Sequence, residues 1–286
     1  MKPVPFAVSS IGCIGSFFVL ILNSNLIRSL YSTSLKNKYE YQLFTLRFFV
    51  DLITAVLNVI YFGATAASFI FNFYLFEYPV LYYWTTFLSS IQVSKFYLAF
   101  LISFERFIAV FFPIIFHNYR RRFSNRFAII IIIVCGIIDD LIYFQVCHVV
   151  RKIKCYTIGC SANACYLDYF VLMKLILSWT TTFISLALFF RLFCVNRKYA
   201  NADFKRTNYM CLADAALSVI FDFFPYLITK FFEEIILSGD GVGPFNSTVR
   251  VFQILIDAII ASYLIMSMKP NKVQVLNPLS KTRSVT

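Results

Sequence analysis

The chain has 286 residues, of which 60% are hydrophobic, 19% aromatic and only 14% charged, whereas soluble proteins carry roughly 45–50% apolar and about 25% charged residues. A single soluble core stops growing near ~250–300 residues, so the apolar surplus excludes a water-soluble globular protein and makes lipid the solvent. The formal charge of +12 does not point to nucleic acid, because the basic residues form short clusters between apolar runs and not one stripe.

A helix needs about 20 mostly apolar residues to cross ~30 Å of hydrocarbon. Seven stretches meet that need in chain order: Phe6 to Leu30, Tyr41 to Phe71, Trp84 to Phe112, Phe127 to Val146, Tyr169 to Val195, Tyr209 to Thr229 and Val251 to Met268. They predict an all-α membrane protein, a single seven-transmembrane helix bundle with residues 269–286 as a short tail. The first stretch is too long for a signal-peptide core, so it is expected to remain as an anchor. No internal repeat of the kind that marks transporters is visible.

Cytoplasmic loops keep Lys and Arg, and alternate connections differ in this respect. One side carries three, five, five and four basic residues, 17 in all, against six on the other. This predicts the N-terminus outside and the C-terminus cytoplasmic. The sequon Asn246-Ser247-Thr248 then falls on the outer side, before the seventh helix, as a candidate glycosylation site. Cys147, Cys155, Cys160 and Cys165 crowd the outer connection between helices four and five, where oxidation favours disulfides. Four cysteines allow three pairings, and Cys147 with Cys160 plus Cys155 with Cys165 is the favoured one. Cys13, Cys135, Cys194 and Cys211 fall within helices and read as small core residues.

No enzyme is expected. His117 lies among cytoplasmic arginines and His148 in an outer loop, so neither joins a His-rich metal site. The loop cysteines lack paired C-x-x-C spacing, and the Gly-rich SGDGVGP has no following Lys-Ser/Thr. No cofactor is expected either.

Charges inside the membrane each cost roughly 2.5–3.5 kcal/mol at a helix centre and therefore need partners. At 1.5 Å per residue, Asp51, Lys95 and Asp257 all lie about 15–16 Å from the cytoplasmic ends of their helices. Arg47 stands four residues before Asp51, and Asp214 lies near the depth of Arg47. These five predict an intramembrane ion network, structural or switching, in which Lys95 pairs with Asp51 or Asp257. Asp139 and Asp140 point about 100° apart, so one of them is expected at the outer interface. Lys174, near the outer end of helix five, is expected to snorkel to water or meet an anionic ligand group.

Glu105-Arg106-Phe107 at the cytoplasmic end of helix three resembles the acidic-Arg-aromatic signature of rhodopsin-like receptors. ERFIAVFFPIIFHNYR, GCSANACYLDY, LADAALSVIFDFFP and GPFNSTVRV together resemble the nematode serpentine receptors of class BC, a likeness running from helix one to helix seven. The resemblance implies a chemosensory receptor in the plasma membrane of sensory cells, with an external small-molecule ligand and a heterotrimeric G protein as partners. It also implies Arg106, restrained by Glu105, as the inner switch, Asp51 as the helix-two acid and Pro225 as the helix-six kink. The chain departs from the rhodopsin-like pattern in four places: it has no Cys at the outer end of helix three, no Asn-Pro-x-x-Tyr in helix seven, no Trp in helix six and no Cys in the tail. A ligand-gated channel or a transporter is the alternative from another class, since intramembrane charges also mark ion paths.

Overall fold

The computed structural model describes residues 3–32, 39–120, 125–155, 158–191, 202–223 and 244–266. In order these form α1 (Pro3–Ser32), α2 (Tyr39–Phe71), α3 (Pro79–Phe111), α4 (Pro113–Arg120), α5 (Asn125–Leu141), α6 (Ile158–Ser161), α7 (Ala164–Phe190), α8 (Ala202–Ser218) and α9 (Phe245–Met266). α5 and α8 each run on into a π-helical turn, Ile142–Val146 and Val219–Phe223. A 3-10 turn at Leu75–Glu77 leads into α3, and there is no strand among the described residues.

Lipid offers no hydrogen bonds, so each spanning segment must satisfy its own backbone. Even the hydroxyls do so: Ser9, Ser16, Thr54 and Thr65 donate to carbonyls four residues back at 2.7–2.9 Å. Pro79 opens α3, where its missing N–H is no loss. The same helix stops at Phe112 because Pro113 follows. Asn163 caps α7, its Oδ1 accepting from the Tyr166 N–H at 3.0 Å.

Six of the helices, α1, α2, α3, α5 with its π turn, α7 and α9, are long and apolar enough to cross a membrane. α8 completes the seven-helix bundle. It starts at Ala202, well before the Tyr209 expected from hydropathy, because Arg206, Thr207 and Asn208 are buried against the bundle. Neighbour packing runs α1 on α2 and on α9, α2 on α3, α3 on α5 and α7, and α7 through α8 to α9, which closes the ring with α3 at its centre. At the tight α1–α2 crossing, a Cβ on Gly12 would lie 2.6 Å from the Phe62 ring.

Outward faces are apolar and exposed, such as Ile14 and Phe18 on α1, Ile133 and Ile137 on α5, and Ile176 and Phe183 on α7. Inside, two apolar layers form. One packs Tyr61, Phe62, Tyr82, Tyr143 and Tyr166 towards the disulfide end of the bundle. The other packs Phe44, Phe48, Leu98, Ile102 and Met210 towards the Arg106 end. Asp51 falls between Phe48 and Ala55 on α2, so the charged residues occupy the seam between the two layers.

Candidate functional site

The inward face of α2 carries Arg47, Asp51, Thr54 and Asn58, spaced as one helical stripe. Arg47 is the hub of the charges that meet there. Its Nη2 lies 2.6 Å from Asp214 Oδ1 on α8 and 3.1 Å from Asp257 Oδ2 on α9, while its Nε is 3.8 Å from Asp51 Oδ2. Lys95 of α3 closes the group by an ion pair from Nζ to Asp51 Oδ1. Four helices are thus joined through two cations and three carboxylates. The carboxylates are only 2–8% exposed, so each charge depends on its neighbours to offset desolvation.

Towards the disulfide end, the network floors a narrow cleft between α2, α3, α8 and α9. Its wall presents Asn58 from α2, Gln92 and Phe96 from α3, Ser218 from α8, and Arg250 and Gln253 from α9. Gln253 Nε2 donates to Ser218 Oγ at 3.3 Å. Arg250 Nη1 donates to Gln92 Oε1, and the guanidinium carbon sits 5.3 Å from the Phe96 ring and 5.6 Å from the Phe170 ring.

At the opposite end of α3, Arg106 is 1% exposed. Its Nη2 pairs with Glu105 Oε1 at 2.9 Å and its Nη1 donates to Thr207 Oγ1 on α8 at 3.2 Å. The guanidinium also lies over Phe116 of α4, and its Nε has no partner among the described residues. Arg106 therefore links α3 to α8 at this end, beside the 3.4 Å contact of Ser103 Oγ with Cys211 Sγ between the same helices.

The family model for the serpentine type 7TM GPCR chemoreceptor Srbc matches residues 1–269. The chain belongs to that family. Comparison with curated proteins gave no match. The Srbc family is one of chemoreceptors, so this member is a multi-pass membrane protein of the receptor type, and membership favours a receptor over an enzyme.

Several sequence readings need correction in this Srbc chain. The disulfides are Cys147–Cys165 and Cys155–Cys160, not the crossed pairing favoured above. The reason is local. The Asn163 cap also donates from Nδ2 to the Cys147 carbonyl, which brings the first turn of α7, and Cys165 with it, to the end of α5. Asn246 is not in a connection but in the first turn of α9, and the Thr248 hydroxyl of its sequon is buried, donating to the carbonyls of Val8 and Pro244 at 3.3 and 3.2 Å. Asp139 and Asp140 each meet a partner on another helix: Tyr166 Oη donates to Asp139 at 3.3 Å and Ser90 Oγ donates to Asp140. Lys174 does not line the cleft; its Nζ stands 5.5 Å from the Phe96 ring. Pro225 and Cys194 lie outside the described residues.

Some contacts were not foreseen. Hydropathy starts the seventh stretch at Val251, one residue after Arg250, but α9 begins at Phe245 and so brings Arg250 onto the cleft wall. Where helix three lacks a cysteine, other contacts tie it and the turn before it to the disulfide-bearing segment and to the end of α5. Phe76 N–H donates to the Cys155 carbonyl at 3.4 Å, and Tyr82 Oη donates to Tyr143 Oη at 3.3 Å.

Proposed function

We propose that the chain is a chemosensory receptor of the plasma membrane of sensory cells, with its N-terminus outside and its C-terminus cytoplasmic. An external small molecule enters the cleft from the disulfide end, and a heterotrimeric G protein is engaged at the Arg106 end. The 17-to-6 bias of basic residues supports this orientation, as does disulfide formation on the oxidising side.

The observation that carries the reading is the pair of ties on α8. Asp214 is held by Arg47 at the cleft floor, and Thr207 is held by Arg106 at the inner end. A ligand that disturbs the first tie loosens the same helix whose displacement breaks the second. Arg106 is then released to bond to carbonyls of an entering partner. Such a change needs a ligand with differential affinity for the two arrangements, and a cleft bordered by α2, α3, α8 and α9 touches the elements that would move.

The test is a calcium or cyclic-nucleotide response to an odorant panel in cells expressing the full chain, with G-protein signalling intact or blocked. The proposal expects a response that is lost on blocking. A ligand-gated current that persists under the block would replace it with a channel.

A further inference from the structure

We infer that the cleft receives a slim, uncharged molecule that carries a hydroxyl group, and that this hydroxyl bonds to the side-chain amide of Asn58. The inference rests on reading the cleft as the ligand site and adds the chemical class of the ligand. Charge is matched inside the site. Arg47 contacts Asp214, Asp257 and Asp51, and Lys95 contacts Asp51. Arg250 is engaged by Gln92 and by the faces of Phe96 and Phe170. Three cations therefore stand against three carboxylates. A charged guest would have to pull one of these groups from its partner or remain uncompensated in a buried setting. A neutral guest does neither.

Hydrogen bonding in the cleft is matched too, with one exception. Thr54 donates to the Val50 carbonyl at 2.7 Å, and Gln253 donates to Ser218 at 3.3 Å. The exception is Asn58. It lines the cleft and is 2% exposed, yet its Oδ1 has no hydrogen-bond partner among the described residues. A buried amide oxygen left in that state is rare and costly. A hydroxyl suits it because it donates and accepts at once, and so serves either end of the amide. The same lining offers Phe96, Leu98, Ala99 and Ile254 as apolar wall to a hydrocarbon chain. Its narrowness favours a chain over a ring system.

Protection of a thiol tests this without knowledge of the natural ligand. Ser218→Cys and Ala99→Cys each place a thiol on the cleft lining of the full chain expressed at the cell surface. Methyl methanethiosulfonate, small and uncharged, modifies the thiol, and labelling of the unsubstituted chain is subtracted. The probes are the straight-chain alcohols from ethanol to octanol, each beside the methyl ether, the carboxylate and the ammonium ion of matching length. At least one alcohol should slow modification at a membrane concentration about threefold to tenfold below that of its ether, the range that one neutral hydrogen bond supplies. The carboxylate and the ammonium ion should protect no better than the ether. Asn58→Leu, which keeps the size of the side chain, should bring the alcohol to the level of the ether and leave the ether's own protection unchanged. Should that variant fail to reach the surface, the comparison of alcohol, ether and ions with Asn58 in place decides alone. Thiols that the reagent does not reach, no protection by any alcohol, equal protection by alcohol and ether, stronger protection by either ion, or an alcohol preference that survives Asn58→Leu would overturn the inference. Protection needs no signalling, so a failure of G-protein coupling leaves its outcome intact and is seen separately.

Discussion

Replacing Arg47 with Met keeps an unbranched apolar stem and removes the guanidinium that joins α2 to α8 and α9. The Nη2 atom alone serves Asp214 at 2.6 Å and Asp257 at 3.1 Å, and both acids stay buried when it is gone. Lys95 remains with Asp51, so it does not substitute at the other two. Removing one partner of a buried pair costs about 3–5 kcal/mol. By the scaling of globular domains of 150–250 residues, that corresponds to roughly 6–20 °C in Tm. The assay is the temperature at which detergent-solubilised chain loses its monomeric elution peak. Arg47→Met should fall by that amount, and the triple variant Arg47→Met, Asp214→Asn, Asp257→Asn should regain most of the loss because no carboxylate is then stranded. A neutral Arg47→Met, or a triple variant no more stable than the single, would refute the hub geometry.

Lys95→Met should lower surface expression more than the double variant Lys95→Met, Asp51→Asn, the non-additivity expected of a directly coupled pair; identical behaviour would remove the coupling. Peptide mapping under non-reducing conditions should find Cys147 linked to Cys165 and Cys155 linked to Cys160, and any crossed pair would contradict the geometry of the Asn163 cap. Tags at Met1 and Thr286 should stain on opposite faces of the membrane; access to both or to neither in unpermeabilised cells would refute the orientation.

The spanning helices are legible because lipid imposes a length of apolar chain that nothing in a soluble loop reproduces. The start of α8 is not, since Arg206, Thr207 and Asn208 read as loop residues until α8 itself packs against its neighbours and buries them. Asp51, Lys95 and Asp257 stand out because a charge at that depth requires a partner, and their common depth follows from helical rise alone. That Arg47 turns to Asp214 and Asp257 depends on how four helices are rotated about their axes, which spacing along one chain does not fix. Arg250 was missed for a related reason: the Gly- and Pro-rich segment before it hides how early α9 begins. Disulfide pairing depends on a single side-chain cap, and no count of cysteines contains it.

The link between α3 and α8 at the Arg106 end is the claim on which the proposed signalling depends. Arg106→Ala removes the contacts to Glu105 and Thr207 and also the group proposed to meet the partner. Ligand-evoked nucleotide exchange on a heterotrimeric G protein, measured with the full chain at matched surface expression, tests it most directly. Arg106→Ala should abolish the exchange while leaving ligand binding largely intact, and Glu105→Gln should raise the exchange measured without ligand. Undiminished ligand-evoked exchange from surface-expressed Arg106→Ala would show that coupling runs through other residues.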